Sequence, residues 1–195
     1  MRLDLAADIA ESLCIRMAPH CVHRPEVLGS ILRGVPNVKD IEILATPRWE
    51  ERPDESDLLG GTKSVNLLHE WAERERQAGR ARWIKTNTAH IVPVDLNPKG
   101  RQWKAILGGN LKLDLFLAGP DNYGPIKLIR TGSKEFSHAV MVYAKQHTEY
   151  RFDKGYLWKG EKMVQASTEE KVFALLRLKY LPPSERTSAF ALKPA

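Results

Sequence analysis

Asp40-Ile41-Glu42-Ile43-Leu44 and Leu111-Lys112-Leu113-Asp114-Leu115-Phe116-Leu117 are the stretches on which the reading of this chain turns. Both alternate, and residues i and i+2 of a β-strand point to the same face. Asp40 and Glu42 therefore project together while Ile41 and Ile43 face a core. In the second stretch the leucines share one face, and Lys112, Asp114 and Phe116 share the other. If the two strands pair, three carboxylates converge. One acid on a strand usually lies on a solvated face, but two inside a strongly apolar strand are costly to desolvate unless something compensates. Three anions held together repel one another and need cations to stay ionised. The pattern suits two Mg²⁺ ions and a phosphate-bearing substrate.

Upstream of the first acids lies Gly29-Ser30-Ile31-Leu32-Arg33-Gly34. Gly29-Ser30 reads as the tight exit from a short strand, His23 to Leu28, into a helix. Such a turn offers backbone N–H groups, a hydroxyl and a positive helix end to a phosphate. Arg33 follows Ser30 by about one helical turn, so its guanidinium can reach the same anion.

Periodicity places an amphipathic helix over residues 3–18, ended by Pro19, and another from Ser64 to Ala78. Residues 46–62, rich in charge, Pro and Gly, read as a loop. Short strands are expected at Arg82–Thr88, Ala89–Val94 and Trp103–Leu107, the latter two joined by Asn97-Pro98-Lys99-Gly100. Gly119-Pro-Asp-Asn-Tyr-Gly-Pro125 marks a composition shift and a subdomain boundary near 119–125. Beyond it, helices are expected at Phe136–Lys145 and Glu169–Leu176, with a hairpin from Tyr156 to Val164 between them.

At 195 residues and 43% hydrophobic, the chain can bury a real core as one domain or two small ones. No apolar run approaches the roughly 18 residues of a membrane span. The first residues carry acids where a secretory signal would be basic and then apolar, so an intracellular, cytoplasmic protein is expected. The two cysteines, Cys14 and Cys21, fit a reducing compartment. With His20 and His23 they match no zinc spacing, which favours packing roles. Residues 1–125 hold 17 Lys/Arg and 17 Asp/Glu, whereas residues 126–195 hold 13 and 7, so the whole surplus of +6 lies in the C-terminal third. That asymmetry suggests a polyanion partner, nucleic acid first. Trp49, in a charged segment, is the one tryptophan suited to base stacking.

Gly29-Ser30-x-x-Arg33-Gly34, Asp40-Ile41-Glu42, Lys112-Leu113-Asp114 and Thr131-Gly132-Ser133-Lys134-Glu135, in this order, resemble the family X DNA polymerases, the group of polymerase beta. The stretch Ser167 to Arg186 also looks like the family's C-terminal end, and the resemblance covers about residues 5–187. It implies an α+β fold: a nucleotidyltransferase palm with a mixed sheet and flanking helices at 1–118, then a small nucleotide-selecting subdomain at 119–195. It implies DNA-directed DNA synthesis, two-metal nucleotidyl transfer from a nucleoside triphosphate to a primer 3′-hydroxyl with pyrophosphate release, with gap filling in DNA repair among its uses. Asp40, Glu42 and Asp114 would hold two Mg²⁺ ions, which Mn²⁺ could replace, and Asp114 would help activate the primer hydroxyl. Gly29, Ser30, Arg33 and Lys39 would bind the triphosphate, and Gly132 and Ser133 would lie against its sugar and base. Lys112 could contact the primer terminus, with Arg130, Lys134 and Arg151 as further contacts to nucleic acid.

The departures carry expectations too. Glu42 replaces the usual second Asp and can still ligate Mg²⁺. Ile129-Arg130 replaces an aromatic pair, which leaves discrimination between deoxyribo- and ribonucleotides open. Ser137 and Met141 stand where mammalian members carry an Asn and an Arg that check the nascent pair, so relaxed fidelity is expected. The chain starts directly at the palm, so no deoxyribose-phosphate lyase activity is expected, and a monomer is. Two alternatives stay open: a template-independent or other-acceptor nucleotidyltransferase, and an inactive nucleic-acid-binding module.

Overall fold

The computed structural model describes residues 1–57, 60–86 and 91–195. Helix α1 (Leu3–Met17) buries Ala6, Ala10, Leu13, Cys14 and Met17 along one stripe, and Pro19 stops it in a 3-10 turn. Strand β1 (Glu26–Val27) leads into the single turn α2 (Gly29–Leu32), and β2 (Asp40–Ala45) follows. Strands β3 (Trp49–Pro53) and β4 (Thr62–Asn66) precede helix α3 (Leu67–Gln77), which Asn66 caps by accepting from the His69 N–H at 3.0 Å. Strands β5 (Ala81–Thr86), β6 (Ile91–Pro93), β7 (Gln102–Leu107) and β8 (Lys112–Leu117) complete the first part. The expected strands at 82–88 and 89–94 meet at residues 87–90, which lie outside the described residues.

Six strands form one mixed sheet in the order β1-β2-β8-β7-β5-β6. Strands β2 and β8 run parallel, and the other pairings are antiparallel. One face carries Ile41, Ile43, Leu113, Leu115, Trp103 and Trp83 into a core with α1 and α3. Along these strands the alternation puts Asp40, Glu42, Lys112, Asp114 and Lys104 on the opposite face.

Residues 46–62 are not simply a loop. Strands β3 and β4 pair antiparallel from Trp49↔Asn66 to Pro53↔Thr62. This ribbon is mostly exposed, and backbone pairing holds it with Arg52, which bonds Glu70 at 2.8 Å and Glu50 at 3.1 Å. A ribbon without a buried face lacks the apolar alternation by which strands are recognised.

The turn-like composition at 119–125 likewise conceals part of helix α4 (Tyr123–Thr131). Pro125 sits in its first turn, where an absent N–H leaves no helical bond unmade. Gly124 lies so close to α6 (Glu169–Leu175) that a Cβ would collide with the Thr168 carbonyl. Helix α5 (Lys134–His147) precedes a three-stranded sheet of β9 (Tyr150–Asp153), β10 (Tyr156–Lys159) and β11 (Lys162–Val164). Leu128, Phe136, Val140, Leu157, Val172 and Phe173 form a second core. A third cluster of Leu28, Leu44, Phe116, Ala118 and Ile126 joins the large sheet to α4. Among the described residues, no helix is long and apolar enough to cross a membrane.

Candidate active site

The register of the two parallel strands sets Glu42 opposite Asp114 and Asp40 opposite Lys112. From the other side, Lys104 on β7 faces Asp114, with Nζ 3.5 Å from Oδ1. Burial, followed by the nearby charges of Asp40 and Asp114, pushes the Glu42 carboxyl up to about 7, while Arg130 and Arg33 oppose the rise. Burial raises Asp114 as well; Lys104 opposes this and Asp40 adds to it. The three acids thus share one face and one electrostatic field.

Their donors are all carboxylate oxygens, the set that hard divalent cations prefer, and their repulsion is what such a cation relieves. In chemistry they fit a hard divalent cation such as Mg²⁺. As the side chains stand they are not a closed ligand set: among the described residues, no three His, Cys, Asp or Glu are gathered closely enough to hold an ion. Lys104 occupies one oxygen of Asp114. Lys104 was legible as a lysine on an alternating strand, but not as the cation facing Asp114, which depends on which strand lies beside β8.

The phosphate-like turn lies directly against these acids. Gly29 has φ +62°, and a Cβ there would land on the Glu42 carboxylate. The Leu28 N–H donates to the Glu42 carbonyl at 2.8 Å, so the turn is pinned over β2. The Ser30 hydroxyl is buried and has no hydrogen-bond partner among the described residues. Arg33 reaches across to the C-terminal part, where Nη1 donates to the Thr131 carbonyl at 2.6 Å and the Gly132 carbonyl at 3.0 Å. Burial lowers the Arg33 pKa, and Glu42 and Glu135 oppose that.

Gly132 and Ser133 open α5. Ser133 caps it, its Oγ accepting from the Phe136 N–H at 3.1 Å. The Ser133 N–H donates to the Arg186 carbonyl at 2.9 Å. A Cβ at Gly132 would sit 2.5 Å from Phe136 and 2.8 Å from the Ser137 hydroxyl. Thr131, fully buried, leaves its hydroxyl without a partner among the described residues. A cavity of about 890 Å³ joins Arg33 and Glu42 to Arg130, Lys134, His138 and Ala189.

The remaining candidates are more dispersed. Lys39 and Lys112 are exposed, at the entry to β2 and the start of β8. The exposed Arg130 guanidinium stacks 4.4 Å above the Phe116 ring. Lys134 is exposed in the first turn of α5. Arg151 is not brought to the cavity; on β9 it donates to the Gly160 carbonyl and lies 5.5 Å from the Trp158 ring centroid. Trp49 is 41% exposed on the separate ribbon. Cys14 and Cys21 are buried free thiols, pushed up by burial to about 11 and about 12.

Residues 127–187 match the family model for the DNA polymerase beta thumb. In this C-terminal segment the chain is similar to the family X polymerases. Over 91 residues it is 33% identical to the DNA nucleotidylexotransferase of Eulemur macaco, a match covering 46% of this chain and 17% of that protein. Over 92 residues it is 32% identical to the enzyme of the same name from Monodelphis domestica and 33% identical to that from Bos taurus, with the same coverage. The chain therefore spans about a sixth of the length of these family X relatives (17%). The thumb match begins within α4 and contains α5, the three-stranded sheet and α6, and Ile129, Arg130 and Gly132 near its start border the cavity that Arg33 and Glu42 line.

Proposed function

We propose that this protein is a DNA-directed DNA polymerase of the polymerase beta type, transferring a nucleotidyl group to a primer 3′-hydroxyl with release of pyrophosphate, gap filling in repair among its uses, inside the cell and as a monomer. Residues 1–118 would serve as the palm and 119–195 as the nucleotide-selecting subdomain. The observation that carries this reading is the pairing of Glu42 with Asp114, with Asp40 on the same face, beside a thumb-matched segment. Asp40, Glu42 and Asp114 would hold two Mg²⁺ ions. When bound, the ions supply a lowered pKa for the primer hydroxyl and charge neutralisation for the triphosphate.

The chain's own residues have the positioning to do, which is most of what phosphoryl transfer asks of a protein. Asp114 orients the primer hydroxyl, and Lys112 contacts the primer terminus. Ser30, whose buried hydroxyl lacks a partner among the described residues, and Arg33 take the β- and γ-phosphates, with the Gly29 backbone and Lys39 beside them. Gly132 and Ser133 lie along the sugar and base, and Arg130, Lys134 and Arg151 contact nucleic acid.

The relatives' name favours a second reading, in which nucleotides are added to DNA ends without a template. Extension of a labelled primer on gapped, recessed and single-stranded DNA, with each nucleotide in Mg²⁺ and in Mn²⁺, separates the two. Extension that follows the template base supports the first reading; equal extension of single strands supports the second. No metal-dependent pyrophosphate release on any substrate would overturn both.

A further inference from the structure

Lys104 sits in a row of side chains that crosses four strands. Register sets Ile84 opposite Lys104, Lys104 opposite Asp114 and Asp114 opposite Glu42, and directly opposite residues of neighbouring strands share a face. Strand β8 lies between β2 and β7, so Lys104 reaches Asp114 from the side away from Glu42. Its Nζ lies 3.5 Å from Asp114 Oδ1, and the two side chains are 34% and 21% exposed. Among the described residues, Asp114 is the one carboxylate in ion-pair contact with Lys104. Lys112 is closer in sequence, on the same strand as Asp114, yet register sets it opposite Asp40 and its side chain is exposed.

A cross-strand ion pair on a part-exposed sheet face is ordinarily worth little. This one differs in its anion. Asp114 shares its face with Asp40 and Glu42, and its oxygens are donors of the kind a hard divalent cation takes. An oxygen already held by an ammonium offers such a cation less, and the ammonium charge repels it. Lysine suits a temporary hold, because its strongly hydrated ammonium rides on a flexible four-carbon stem. A third of the Lys104 side chain already meets solvent, so release buries nothing new. We infer that Lys104 is a positioning residue for Asp114: it holds the carboxylate as its counter-ion and must leave it, turning to solvent, when Asp114 ligates a divalent cation. The inference rests on the nucleotidyl-transfer reading and adds to it a residue on β7, a strand to which that reading gives no role.

The test titrates the full chain with Mn²⁺, without nucleotide or primer, and follows the EPR signal of the free ion. Lys104→Met is expected to tighten Mn²⁺ binding about threefold, the scale of one part-exposed ion pair. Lys104→Arg, which keeps a cation opposite Asp114, is expected to retain the parent's affinity. A second readout needs no variant. Acetylation by an amine-reactive ester, mapped by mass spectrometry, should be faster at Lys104 with saturating Mn²⁺ than without it, with the exposed Lys145 of α5 as the unchanged reference. A pair that only stabilises the sheet moves neither readout. Equal or weaker Mn²⁺ binding by Lys104→Met, or a Lys104 reactivity that Mn²⁺ does not change, would overturn the inference. Asp114→Asn separates the two levels: it should weaken Mn²⁺ binding by at least about tenfold, and if it does not, the metal-dependent reading itself fails.

Discussion

Glu42 is squeezed between an apolar strand and two other carboxylates, and burial before all else pushes its carboxyl from 4.5 up to about 7. Between those two pH values the folded protein holds a proton that the unfolded chain has lost. Stability of the metal-free protein therefore falls as pH rises from about 4.5 to about 7, and the loss is complete above that. Glu42→Gln removes the charge and should raise the thermal midpoint at pH 8 in EDTA, with the gain vanishing near pH 4.5; melting curves across that range check it. The same variant, like Asp114→Asn, should lower nucleotidyl transfer by more than the roughly 10–100-fold typical of an outer-shell partner, read as pyrophosphate release. Gly29 is the complementary case. Its φ of +62° and the Glu42 carboxylate in the space of its Cβ leave no room for a side chain. Gly29→Ala should destabilise by about 1–3 kcal/mol in urea titration and weaken triphosphate binding, whereas Gly108→Ala, where a Cβ meets nothing within 4 Å, should do neither. The shared face of Asp40 and Glu42 was legible because strand alternation is local. The cation on Asp114 was not, since Lys104 reaches it only through the order of strands.

Element by element, the chain was readable where one face is buried. Helices α1, α3 and α6 and strands β2 and β8 follow their apolar periods, and Ser133 and Thr168 cap α5 and α6 as their types favour. The β3–β4 ribbon was hidden by exposure on both faces, and α4 by a Gly-Pro composition that serves close packing on α6. The C-terminal elements are locked by a fully buried ion pair, Arg186 with Glu169, in which Arg186 also donates to the Leu181 carbonyl at 2.8 Å and lies 5.2 Å from the Phe173 ring centroid. Arg186→Leu strands the Glu169 charge and should cost ~3–5 kcal/mol in urea unfolding. Pairing it with Glu169→Leu should recover much of that loss. If the double variant is no more stable than the single one, the pair is not what holds the thumb elements together.

Across the whole molecule, Arg33 binds the two parts through the Thr131 and Gly132 carbonyls, and the surplus positive charge belongs to residues 126–195. DNA affinity should therefore fall steeply with salt, and replacing Arg130 and Lys134 together by Gln should reduce the log–log slope by about 2. Fluorescence anisotropy over a salt series measures it; a flat response would remove nucleic acid as the partner of that surface. By itself the sequence determined the alternation that puts two acids on one strand face, the Gly-Ser turn before them, and the charge asymmetry, because each depends on neighbours along the chain. Only the tertiary structure decided that Glu42 lies opposite Asp114, that Lys104 competes for that carboxylate, and that Arg33 spans the two parts. Those features depend on strand order and packing between segments far apart in sequence, which no local period encodes.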